Sequence, residues 1–180
     1  MTSNRDELLT KELGKLTDDD VLQAFIRRHP ELVRSDFAHA LSEAVLEQVR
    51  VDANTALALA RASCAIADEL KEERDLAQAA KAMGNALYGL GDYRVAGDRY
   101  EQSAARFEAC GESVEQGRAL STSIQARILL GDYDSAADAA ERARTIFEKI
   151  GDRRRLAILD NNVENIMHSQ RPVPRSACDV

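Results

Sequence analysis

The residues able to do chemistry are few and widely spaced. The chain of 180 residues holds three histidines, His29, His39 and His168, and three cysteines, Cys64, Cys110 and Cys178. No histidine has a second His or a Cys at helical ligand spacing, so neither a metal site nor a cofactor is expected. Three scattered cysteines make neither a disulfide framework nor a zinc signature. Cys64 and Cys110 stand among alanines on helical faces, where a buried free thiol is expected. His29, just ahead of Pro30, reads as a helix end, and His39 as a side chain packed on its own helix. Gly84, Gly89 and Gly91 suggest a phosphate loop, but no Lys-Ser/Thr follows and no strand precedes. Helix crossing and capping account for them better. The carboxylates of Asp18–Asp20 and Glu72-Glu73 read as a helix start and a solvated face. No Ser/His/Asp set is singled out, and the chain is expected not to be an enzyme.

Charge and composition narrow the partners. The net charge is −7, and phosphate backbones are held by clustered basic faces. Arg153-Arg154-Arg155 is the only basic run and reads as a solvated helix start. A nucleic-acid partner is therefore not expected. No apolar stretch approaches the length of a membrane span and no signal peptide opens the chain, so no membrane partner and a cytoplasmic location are expected. Alanine is the commonest residue, Trp is absent and aromatics make up 4%. Alanine, leucine and long charged residues favour helix, and prolines occur only at Pro30, Pro172 and Pro174.

The elements repeat. Leu90-Gly91-Asp92-Tyr93 returns 40 residues later as Leu130-Gly131-Asp132-Tyr133, followed by Ala96 with Ala136, Phe107 with Phe147 and Gly111 with Gly151. One period earlier, Asp52 aligns with Asp92 and Ala56 with Ala96, while Asn85, Gln125 and Asn165 also stand one period apart. Each unit reads as two helices. Ala79, Ala82, Met83, Ala86, Leu87 and Leu90 form one apolar stripe; Tyr93, Ala96, Tyr100, Ala104, Phe107 and Cys110 form the next. A glycine favouring the left-handed helix end and a capping aspartate separate them. The boundaries are residues 1–35 for an N-terminal helical segment, its helix starting near Asp18–Asp20 with Thr17 as cap. Units follow at 37–74, 75–112, 113–152 and a half unit at 153–169, within a solenoid spanning 36–170, then a flexible tail at 171–180. Seven or eight helices are predicted.

These residues resemble the tetratricopeptide repeat (TPR). Gly84, Gly91, Tyr93, Ala96 and Tyr100 stand where that motif wants Gly, Gly, Tyr, Ala and an aromatic; the next unit keeps Gly131, Tyr133 and Ala136 but has Ile124 and Ala140 at the other two places. The longer unit is similar to variants in kinesin light chains, and Phe147–Arg154 looks like arrays preceding a caspase-like (CHAT) peptidase in bacterial signalling proteins. The resemblance implies an all-α, right-handed superhelical solenoid of antiparallel helix hairpins that serves as an adaptor or scaffold for protein binding. It maps a concave groove to Lys81, Asn85 and Tyr88, then Arg118, Ser121 and Gln125, then Asn161, Asn165 and His168.

Those groove residues are polar and mostly amide-bearing, and amides both donate to and accept from an extended peptide backbone. Lys81, Arg118 and His168 would favour an acidic segment. The carboxylate clamp of chaperone-binding repeats is incomplete, because Lys81 and Asn85 match it while Thr122, Ile158 and Asn162 do not. The last helix lacks a following partner before Pro172 and Pro174. It reads either as a cap or as the edge of a longer array, and its open end offers self-association. The alternative function is thus a regulatory or self-assembling repeat fragment of a larger bacterial signalling protein.

Overall fold

Aspartates and glycines set the punctuation of the chain. A computed structural model describes residues 4–170, with side-chain surroundings for 5–164. The helices are α1 (Asn4–Leu13), α2 (Asp19–Arg28), α3 (Ser35–Gln48), α4 (Ala53–Leu70), α5 (Glu73–Gly89), α6 (Tyr93–Ala109), α7 (Ser113–Leu130), α8 (Tyr133–Ile150) and α9 (Arg153–Gln170), with a 3₁₀ turn at Pro30–Leu32. Among the described residues the fold is all-α, with no strand. Asp52, Asp92 and Asp132 each accept a backbone N–H in the first turn of α4, α6 and α8, and Asp152 does so at α9. That satisfies donors a helix start leaves open. Gly91, Gly111, Gly131 and Gly151 all have φ between 71° and 82°. The following residue's N–H reaches back to close each helix end, as Asp132 does onto the Arg127 carbonyl.

From α3 onward each helix packs on its successor in the chain, and α3 also lies against α5 and α7 against α9. The core runs through this stack. Ala96, Ala136, Phe107 and Phe147 are all fully buried, as their place in the repeat predicts. The crossing of the paired helices is filled in two complementary ways. In the second unit Gly84 leaves room for Tyr100, whose ring would lie 2.7 Å from a β-carbon there. In the third, the equivalent places hold buried Ile124 and Ala140, so large and small have changed sides. Gly117 makes a similar space for the Phe147 ring, at 2.5 Å.

Two expectations need correction at the N-terminus. Asp18, not Thr17, caps α2, its carboxylate accepting from the Val21 N–H. The described residues also contain nine α-helices rather than seven or eight, the extra one being α1. Its apolar residues, Leu8, Leu9 and Leu13, make too short a stripe to stand out in sequence. Leu9 and Leu13 bury into the first core parcel, while Arg5–Glu31 and Asp6–Arg34 ion pairs tie α1 to the chain that follows. The tail at 171–180 lies outside the described residues.

Candidate functional site

Side-chain bridges place α3, α5, α7 and α9 side by side. Ser35 Oγ donates to Asp75 at 2.6 Å between α3 and α5. Arg74–Glu112 and Lys81–Glu115, at 3.4 and 2.6 Å, join α5 to the start of α7. Asn162 Nδ2 donates to Ser121 Oγ at 3.3 Å between α7 and α9. These first helices of each hairpin carry Lys81, Asn85 and Tyr88 on α5, Arg118, Ser121 and Gln125 on α7, and Asn161 on α9. The i, i+4, i+7 spacing of Lys81, Asn85 and Tyr88 and the i, i+3, i+7 spacing of Arg118, Ser121 and Gln125 keep each set on one side of its helix.

Their states differ. Gln125 is half-buried and Asn161 exposed, and neither spends its amide on the described protein. Asn85 is half-buried, and its Oδ1 accepts from the hydroxyl of buried Tyr100 at 2.9 Å. Tyr88 is half-buried with its ring 5.4 Å from that of Tyr93. Ser121 is held by Asn162. The side chains of Asn165 and His168 lie outside the described residues.

Of the three cations named in sequence, Lys81 and Arg118 share one carboxylate. Lys81 is only 8% exposed, its ammonium spent on Glu115 and lying 5.5 Å from the Phe107 ring centroid. Burial pulls its pKa below the ordinary lysine value, against the pull of Glu115. Arg118 also reaches Glu115, at 2.7 Å, and its side chain stays 49% exposed. Burial raises the Glu115 pKa, but hydrogen bonds and charge from Lys81 and Arg118 outweigh it and hold the carboxyl below its usual range. One carboxylate thus serves two cations, leaving this part of the face with one net positive charge, displayed by Arg118.

What sequence did not show here is which residues come together. Arg118, Ser121, Thr122, Phe147, Arg155 and Ile158 line a hollow of about 180 Å³ between α7 and α9. Arg155 pairs with Asp152. Glu115 had a local signal, since it stands three residues before Arg118 on one helix; its partnership with Lys81 had none.

Elsewhere, His29 sits 4.5 Å from Phe25 by ring centroids and 3.3 Å from Glu31, while His39 faces Glu43 one turn on. Of the two thiols expected to be buried, the structure leaves Cys64 half-buried and Cys110 exposed. Among the described residues, no group of three or more His, Cys, Asp or Glu is placed to hold a metal ion. No described helix is long and apolar enough to cross a membrane. No protein-family model matches the sequence, and no curated protein matches it either.

Proposed function

We propose that the chain is a protein-interaction module of TPR-like hairpins, wound as a right-handed superhelix, that holds an extended partner segment along the face of α5, α7 and α9. What supports this reading is the unspent amide of Gln125 one period from half-spent Asn85, with Asn161 beyond on α9. Stacked hairpins stand about 10 Å apart, the spacing of packed helices. An extended chain covers that distance in about three residues, so each rung meets every third peptide bond. Exposed Arg118 favours an acidic segment despite the chain's negative total, because local charge steers contact.

The choice of variant matters. Asn85→Ala would orphan the buried Tyr100 hydroxyl, at a cost of about 1–3 kcal/mol, and so confound binding with stability. Gln125→Ala with Asn161→Ala removes two amides that bond nothing in the described protein and should alter stability by less than about 0.5 kcal/mol. A photo-crosslinking residue at Gln125 should trap a partner in cells of the native host, and one at exposed Glu141 on α8 should not. The double-alanine chain should hold that trapped protein at least about tenfold more weakly, a loss near 1.4 kcal/mol. Crosslinking at 141 alone, or full affinity in the folded double variant, would move the site off this face.

A further inference from the structure

The N-terminal end carries a second groove, apart from the α5–α7–α9 face. α1 runs alongside α3 in the same direction. Asp6, near its start, is held at 2.8 Å by Arg34, just ahead of α3. Gly14, just past its end, rests against Thr55 and Leu59 at the start of α4, which follows the end of α3. Between α1 and α3 lies an open groove of about 680 Å³. Ala40 and Ala44 give it an apolar floor, laid over buried Phe37 and Leu59. Ala40 and Ala44 are half-buried, four residues apart, and small enough to let another backbone approach.

The two walls differ in charge: with Asp6 spent on Arg34, Lys11 and Lys15 outnumber Glu7 on the α1 side, while the charged residues of the α3 side are carboxylates alone. Lys11 and Lys15 line the α1 side, and Glu43 and Glu47 the α3 side. All four are exposed. Neither lysine makes an ion pair within the described protein, nor does Glu47, and Glu43 touches only His39 at 3.5 Å. Two rows of unlike charge therefore face each other without closing the gap.

We propose that this groove receives an amphipathic helix of a partner protein, with acidic residues along one edge of its apolar face and basic residues along the other. Its α1 lining runs from Asp6 to Lys15, and the 10 residues of α1 span about 15 Å, or roughly three helical turns. Glu43 and Glu47 stand one turn apart on α3, the spacing at which another helix presents its own row, and Lys11 is followed four residues on by Lys15 in the turn that ends α1. The acidic edge faces Lys11 and Lys15, and the basic edge faces Glu43 and Glu47. Because the edges differ, the charges fix the direction of the bound helix; reversed, it would set like charges together. Glu7 on the α1 wall extends the code, disfavouring a carboxylate opposite that end.

The test uses the full chain and a display library of helix-stapled peptides with a Leu/Ala face and both edges randomised among Glu, Lys and Gln. Selected peptides should carry Glu on one edge and Lys on the other, read by fluorescence anisotropy. Lys11→Glu with Lys15→Glu should weaken them about tenfold, as two reversed exposed pairs would. Adding Glu43→Lys and Glu47→Lys should restore binding with the peptide turned end for end, seen as relaxation from a terminal spin label moving to the other end of the groove. Ala40→Arg should block binding. Peptides with one sign of charge on both edges, no selected binder at all, indifference to Ala40→Arg, or a preference for anionic phospholipid vesicles over every peptide would each overturn the proposal.

Discussion

Lys71 closes α4 in the left-handed region, with φ of 59°, the only described non-glycine residue to do so. It stands one period before Gly111 and two before Gly151, which end α6 and α8 in the same conformation. A β-carbon crowds the following carbonyl in that region, a cost of roughly 1–2 kcal/mol. The exposed lysine carries this strain where the repeat elsewhere has glycine. Lys71→Gly should therefore raise stability by about 0.5–1 kcal/mol, the relief being partly offset by the freer unfolded glycine chain. Urea denaturation measures it, and an unchanged or lowered midpoint would show that the turn relaxes around the side chain.

Helix pairs in this protein are matched by size at their crossings. Tyr100 fills the space over Gly84, and Phe147 the space over Gly117. Gly84→Ala pushes a methyl to 2.7 Å from a ring that is itself fully buried. Overpacking of this kind costs about 1–3 kcal/mol, even though alanine is the better helix former. Phe147→Ala should cost about 3–5 kcal/mol, the range for an emptied aromatic site. Thermal unfolding of the two variants measures both. A stabilised Gly84→Ala chain would mean that helix propensity outweighs the crossing, and a loss below 1 kcal/mol at Phe147 would put that stripe at the surface.

Across the molecule, the bridges between neighbouring hairpins make stability respond to pH. Glu115 is held below its ordinary value of 4.5 by Lys81 and Arg118. A carboxyl whose folded pKa is depressed contributes stability that is whole above the unfolded value and is lost as pH falls through the folded one. Lys81 acts in the opposite sense. Its pKa is lowered by burial, so its ammonium costs stability at neutral pH, and that cost is relieved only as pH rises through the lowered value. Glu115→Gln leaves the buried ammonium with a neutral amide oxygen in place of its carboxylate and should cost about 1–3 kcal/mol at neutral pH, less than a wholly broken buried pair. The gap from the parent chain should close as pH falls below 4.5, as followed by denaturation from pH 7 to pH 3. A gap that stays constant over that range would show that the pair contributes through packing alone.

The sequence by itself determined the period, two helices to each unit and the buried stripe of Ala96, Phe107, Ala136 and Phe147, while α3 and α5 each begin two residues ahead of the unit boundaries read at 37 and 75. Each of these depends on short-range physics: a carboxylate capping the N–H groups of its own turn, a glycine at positive φ, apolar residues three and four apart. The tertiary structure decided who meets whom. Lys81 finds Glu115 across 34 residues and Asn85 finds Tyr100 across 15, and these meetings occupy one cation and half of one amide on the face of α5 and α7. The exchange of Gly84 and Tyr100 for Ile124 and Ala140 reads in sequence as two departures from a motif and becomes one conserved volume only when the helices cross. α1 lacks an apolar stripe long enough to announce itself, because its stability comes from Leu9 and Leu13 entering a core that other helices build. The groove beside it exists only once α1 and α3 are set apart, a spacing fixed by Arg34 at one end and by Thr55 at the other.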